Sequence, residues 1–229
     1  MFSSNHSSWS MGWFGKLPSV GDFAGRGMPQ PLQETIHGWT SSGMAALARK
    51  YPEEWRGFYL VSPVWHFVIN PSVWDKSALI GCIAPSLDKV GRCSPLIALR
   101  SFDVKDINEV LPPKSRWLYR INTALRRIVA EQVLVDNVYD ILEQQKDAEV
   151  SSSNTANILD DLGIVDSVQE YKTERLSWPD LPMLFPERAD RSFWWAEPSP
   201  KLPPRQIIHR GLPDDSLFCL LMTGGSHNA

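Results

Sequence analysis

Five charged side chains stand in glycine- and proline-punctuated segments of the first hundred residues: Lys16, Asp22, Arg26, Asp88 and Arg92. Two carboxylates and two guanidinium groups of this kind have two uses. They form a recognition patch on loops held by rigid elements, or they pair with one another and with exposed backbone groups, so that Asp22 and Arg92 fix the loops that carry them. The second use is the favoured one. A hydrolase built on Asp22, Arg26, Asp88 and Arg92 is the enzymatic alternative, but the chain has no GxSxG elbow and no HExxH helix to supply a nucleophile or a metal. No catalytic residue is therefore assigned.

Gly15-Lys16 resembles the end of a phosphate loop but has the wrong neighbours. The glycine required five residues earlier is Ser10, and the hydroxyl residue required after the lysine is Leu17. Pro18 removes a further backbone donor. Gly21, Gly25 and Gly27 do not complete GxGxxG either, so a nucleotide-sensing or GTPase-binding adaptor is permitted but not specified. His6, His37, His66, His209 and His227 have no partner at zinc spacing, and no metal or other cofactor is expected. His66 reads as an exposed or hydrogen-bonded strand residue. The odd set Cys82, Cys93 and Cys219 reads as reduced thiols, with Arg92 beside Cys93 as the only feature that would favour a thiolate.

Composition narrows the class further. In 229 residues the net charge is −3, hydrophobic residues make up 43% and charged ones 21%, which is ordinary for a globular protein and gives no field for nucleic acid. No apolar run reaches the roughly 20 residues of a transmembrane helix. Residues 1–11 are Ser-rich with no cationic start, which reads as a disordered tail of a cytoplasmic protein rather than a signal peptide.

The elements that must position the charged residues come next. Gly12 to Pro31 reads as turns and irregular backbone. Leu32, Ile36, Trp39, Gly43 and Leu47 share one face of a helix over 32–50, ended by Arg49-Lys50 and Pro52. Strands are expected at Gly57–Val61, Trp65–Ile69, Leu79–Ala84 and Pro95–Phe102, joined by short loops that suit an antiparallel meander. A strongly amphipathic helix follows over 114–130, and Asp136 is placed as the cap of a second through Val138, Ile141 and Leu142. Residues of about 145–157 read as a mobile linker. Beyond it, eight of the eighteen prolines fall between Pro179 and Pro213, leaving short strands at Phe193–Ala196 and Arg205–His209 and a last helix from Asp214-Asp215. The expected fold is α/β (α+β): one domain over 12–229, a largely antiparallel central sheet packed by amphipathic helices. Trp194 and Trp195 must point to opposite faces of their strand, one into the core and the other toward solvent, a helix or a partner.

The punctuated motifs also carry a resemblance. Gly12-Trp13-Phe14-Gly15-Lys16-Leu17-Pro18-Ser19-Val20-Gly21-Asp22-Phe23, continuing to Arg26-Gly27-Met28-Pro29, and Pro85-Ser86-Leu87-Asp88-Lys89-Val90-Gly91-Arg92 with Pro95-Leu96, resemble the TagF (ImpM-like) family. So do Ser62-Pro63-Val64-Trp65-His66-Phe67, Ser192-Phe193-Trp194-Trp195 and Gly211-Leu212-Pro213, so that the likeness runs from about Gly12 to Met222. The chain departs from the family's pattern at Thr40, Ser94 and His66, which bears on partner specificity. The resemblance implies a cytosolic, non-enzymatic modulator of bacterial type VI secretion that acts after translation, usually as a brake. It implies partners among the secretion components, with a forkhead-associated scaffold protein and a functional link to a threonine kinase/phosphatase pair. A phosphatase partner is expected in trans, because 229 residues leave no room for one. The residues expected to bind a partner are Lys16, Asp22, Arg26, Asp88, Arg92, Trp194 and Trp195.

Overall fold

Every strand of the sheet runs antiparallel to its neighbours, and helices cover both of its faces. A computed structural model describes residues 11–107, 116–145, 181–185, 190–196 and 205–223. Within them the strands are β1 (Gly12–Lys16), β2 (Phe23–Arg26), β3 (Trp65–Ile69), β4 (Ala78–Ala84), β5 (Leu96–Phe102), β6 (Arg191–Ala196) and β7 (Arg205–Arg210). Their spatial order is β2-β1-β5-β4-β3-β6-β7. The helices are α1 (Gln30–Lys50), α2 (Trp55–Val61), α3 (Arg116–Ala130), α4 (135–145), α5 (Leu181–Leu184) and α6 (Asp215–Thr223).

Two cores follow from the period of two along each strand. In β3, Trp65, Phe67 and Ile69 face α1, α2 and α6, while Val68 and the buried His66 face α3 and α4. Both faces are covered, so β3 and β4 are buried at every position, and β4 reads as a continuous apolar run. β6 obeys the same rule. Trp194 joins the α1 side and Trp195 the α3 side, and both rings are buried.

The α1 side is held by indole donors as well as by apolar contact. Trp39 donates its ring N–H to the carbonyl of Asp214 at 3.0 Å, and Trp65 donates to the carbonyl of Leu221 at 2.9 Å, so that both ends of α6 are tied down. Trp39 also packs on Trp74, Trp194 and Phe218, with ring centroids 5.2, 5.6 and 5.5 Å away. A ring with an apolar body and a single donor at its edge suits this duty. The stripe Leu32, Ile36, Trp39, Gly43 and Leu47 is buried throughout, as its spacing requires.

Several local expectations are corrected. Residues 55–61 form α2, not a strand. Trp55, Phe58 and Tyr59 lie at helical spacing, the Phe58 N–H reaches the Glu54 carbonyl at 3.0 Å, and Val61 is exposed. A short apolar run does not distinguish the two by itself. Gly12–Lys16 and Phe23–Arg26 form a hairpin where irregular backbone was expected. Gly15 shows why a glycine is needed there: its φ is +146°, and a Cβ would sit 2.1 Å from the carbonyl oxygen of Pro95, the residue before β5. Asp136 lies inside α4 rather than capping it. Met11, assigned to the tail, is buried in the core, whereas residues 1–10 and 146–157 lie outside the described residues. No helix among the described residues is long and apolar enough to cross a membrane.

Two glycines of α1 give a paired test. A Cβ at Gly43 would come within 2.3 Å of Phe218 Cγ, whereas one at Gly38 would meet nothing within 4 Å. Gly43→Ala should cost about 1–3 kcal/mol through overpacking. Gly38→Ala should stabilise by up to about 1 kcal/mol through helix propensity. Urea unfolding separates them, and equal effects from the two substitutions would refute this packing of α1 on α6.

Candidate functional site

The hairpin brings the loop after β1 against the loop between β4 and β5. The first loop carries Asp22 and follows directly on Lys16, the last residue of β1, and the second carries Asp88 and Arg92. Asp88 has no solvent exposure, yet it is ionised, because its two oxygens accept four hydrogen bonds. Oδ1 takes the backbone N–H groups of Val90 at 3.0 Å and Arg92 at 2.9 Å. Oδ2 takes Lys16 Nζ at 2.9 Å and Arg92 Nε at 2.7 Å. Burial alone would push this carboxyl up. The Lys16 ammonium, the two amides and the Arg92 guanidinium outweigh it and hold the group well below the usual carboxylate range.

The turn around Asp88 is closed by its own backbone. The Asp88 N–H reaches the Arg92 carbonyl at 3.0 Å, and the Gly91 N–H reaches the Asp88 carbonyl at 2.9 Å. Gly91 has φ +87°, a left-handed conformation that a glycine takes at low cost. Three ties then fix the turn to its surroundings. The Lys89 N–H donates to the Val20 carbonyl at 2.9 Å, the Arg92 guanidinium donates to the Gly21 carbonyl, and Ser86 Oγ donates to the Lys16 carbonyl at 2.7 Å.

Two contributors were not legible as site residues. Tyr59 of α2 donates its hydroxyl to the Ser86 carbonyl and accepts the Ser86 N–H, both at 2.8 Å. Burial drives its phenol well above the ordinary value, so it is a neutral clasp. Arg56, also on α2, donates Nη1 to the Gly91 carbonyl at 3.1 Å and to Cys93 Sγ at 3.5 Å. The Tyr59 and Arg56 contacts depend on α2 being a helix, and the strand reading of 57–61 concealed them. Cys93 has its thiol pushed up by burial, against the opposing pull of Arg56 and Lys16, so proximity to arginine does not make it a thiolate.

The remaining sequence candidates separate from this cluster. Asp22 is exposed and accepts the N–H of Phe23 at 2.8 Å. The anticipated Asp22–Arg92 pair is replaced by Asp88–Arg92. Arg26 stands over the Tyr139 ring of α4 at 4.6 Å, away from the clamp. Neither Trp194 nor Trp195 faces solvent. His66 takes the hydrogen-bonded of its two expected settings and is buried. It stacks on Trp195 at 5.7 Å, meets Asn122 Nδ2 at 3.2 Å, and is pushed down to about 3 by burial, so it is neutral at physiological pH. Among the described residues no group of three or more His, Cys, Asp or Glu side chains is placed to hold a metal ion.

The chain belongs to the family of the TagF N-terminal domain, type VI secretion system-associated, whose model matches residues 12–145. That span contains the whole Lys16–Asp88–Arg92 clamp together with Tyr59 and Arg56. A crystal structure of PA0076 from Pseudomonas aeruginosa PAO1 has the same fold, with a TM-score of 0.72 and 22% identity over 96% of this chain and 97% of that one. No curated protein matches the chain.

The clamp gives a signed pH dependence. A carboxyl whose folded value lies below its unfolded one stabilises fully above about pH 4, and that stabilisation is lost as the pH falls below this range. Asp88→Asn should therefore lower the melting temperature at neutral pH, and the gap from wild type should narrow in acid. The Lys16→Met/Asp88→Asn double variant should lose less than the sum of the single losses, because neither buried charge is left without its partner. A gap that does not change with pH, or additive losses, would contradict the clamp.

Proposed function

We propose that the protein restrains type VI secretion by binding components of the apparatus in the cytoplasm, after translation and without catalysis, through the surface framed by the loops around 17–22 and 85–92. Membership of a type VI secretion-associated family supports the setting. The observation that carries the mode of action is the state of Asp88. A general base needs a free lone pair and a proton affinity matched to its task. Here both oxygens are occupied by donors and the carboxyl is held strongly acidic. The best-placed carboxylate of the alternative hydrolase is thereby committed to organising its loop. What the loop then offers is rigidity: exposed groups on a fixed frame give specificity in binding with little ordering cost.

The partner we propose first is the forkhead-associated scaffold protein of the secretion system, with the threonine kinase/phosphatase pair as the functional context. Arg92 is the residue that joins frame and surface. Its Nε is bound to Asp88, yet its side chain is 62% exposed.

Affinity capture of type VI components by the purified protein, together with a secretion assay in the native bacterium, tests this reading. Deleting the gene should raise secretion. Arg92→Ala should reduce capture by about tenfold or more, as expected for truncating an interface arginine, and should raise secretion toward the deletion level. Its melting temperature must be measured alongside, since Arg92 also ties Gly21 and Asp88. A folded Arg92→Ala protein with normal capture and unchanged secretion would place the interface elsewhere.

A further inference from the structure

The tip of the Asp88 turn has a chemical character that differs from that of the chain as a whole. The net charge of the protein is −3, but the side chains exposed at this tip are cationic: Lys89 and Arg92 on the turn itself, and Arg56 alongside it. Between them stands Val90, an apolar side chain that is 71% exposed. The acidic residue at the centre, Asp88, is fully buried and ion-paired with both Lys16 and Arg92, so the three groups together keep one net positive charge. Asp22 borders the patch with its carboxylate turned onto the Phe23 N–H. Glu53 and Glu54 precede α2, and among the described residues neither pairs with Arg56.

The two guanidinium groups are also prearranged. Arg92 is held by Nε on the Asp88 carboxylate and by a terminal nitrogen on the Gly21 carbonyl. Arg56 is held by Nη1 on the Gly91 carbonyl and on Cys93 Sγ. These contacts use part of each fork. They hold the planes in place while leaving further N–H donors toward solvent, since a guanidinium carries five. An arginine fixed in this way loses little side-chain freedom on binding, and its planar fork matches a carboxylate. Lys89 is different. Its backbone N–H is tied to Val20, but no hydrogen bond or ion pair engages its ammonium among the described residues, so it acts as a mobile point charge.

We infer that this tip docks an acidic segment of a partner protein, with side-chain carboxylates of Asp or Glu meeting Arg56, Lys89 and Arg92 and an apolar residue between them meeting Val90. This deepens the reading above, since it specifies the chemistry of the partner surface, and it rests on that reading for the statement that the partner is a secretion component.

The test uses the whole chain, isotope-labelled, and a synthetic peptide of alternating Glu and Leu as the probe. In NMR titrations the probe should shift the Val90, Gly91 and Gly21 amides and the Arg56 and Arg92 side-chain N–H resonances, leaving α1 and α6 unmoved. The apparent affinity should fall as salt is raised from about 50 to about 300 mM, since exposed charges are screened over that range. Lys89→Glu, at a side chain that holds nothing in place, should weaken the probe by several-fold with the melting temperature unchanged, and Arg56→Gln should weaken it further. A peptide of alternating Lys and Leu should produce no such shifts. Absence of shifts at the tip, shifts spread over the surface, or indifference to Lys89→Glu would overturn the inference. So would inorganic phosphate moving the same resonances more strongly than the acidic peptide at equal concentration. Capture and secretion by the wild-type protein are measured separately, so a failed titration removes the acidic docking surface without touching the proposed role in secretion. A localised titration combined with no capture of any secretion component removes that role and leaves the surface chemistry in place.

Discussion

The ionised carboxylate of Asp88 is buried at the junction of two loops, and the architecture of this end of the molecule follows from the need to satisfy it. An unpaired charge in such a position would be far too costly to retain. Four donors must therefore converge, and they come from two separate places in the sequence: Lys16 at the end of β1, and the turn itself, which supplies the backbone N–H groups of Val90 and Arg92 and the Arg92 side chain. Lys16 reaches Asp88 only if β1 pairs with β5 in the observed register, with Gly15 opposite Leu96. A shift by one residue would turn the Lys16 side chain to the other face of the sheet. The carboxylate thus reads the register of the hairpin and the geometry of the turn together, and a misfolded arrangement at either place leaves it unpaired.

The rest of the fold supplies a rigid base for that junction. An antiparallel sheet usually leaves one face to solvent, whereas here α1, α2 and α6 cover one side and α3 and α4 the other. Burial on both sides explains the high tryptophan content. Large rings fill the space between sheet and helices, and the single donor of each of Trp39 and Trp65 secures α6 by its carbonyls. α2 links this base to the site: Tyr59 enters the core and clasps Ser86, while Arg56 on the same short helix lies along the rim of the turn.

How much of this was legible in the sequence depended on whether the signal was local. The apolar stripe of α1 and the alternation of β3 are periodic, and both elements stand where their periods put them. The two motifs that hold the clamp were also visible, because glycine and proline mark turns irrespective of their surroundings. Three features were hidden because they are tertiary. β1 and β2 carry glycines that look like loop signals but are required by close contact with Pro95 and Phe14. Residues 57–61 are apolar in a run too short to have a period, and Trp55 just outside it sets the helical spacing. Asp22 and Asp88 both lie near a glycine, and only the pairing of β1 with β5 decides which of them meets Lys16 and Arg92. Alternation in β6 sends Trp194 and Trp195 to opposite faces as expected, and of the three settings open to the second ring (solvent, a helix or a partner) Trp195 takes the helix, because that face is itself a core.

Hydrogen exchange read by mass spectrometry, with a purified type VI component added, reports whether the fixed Asp88 turn is the surface a partner covers. A bound partner should slow exchange in the segments 19–22 and 88–93, with α1 and α6 unchanged. Slowed exchange confined to other surfaces, such as the groove of about 380 Å³ beside Lys50, Tyr51 and Cys219, with the Asp88 turn unaffected, would contradict it.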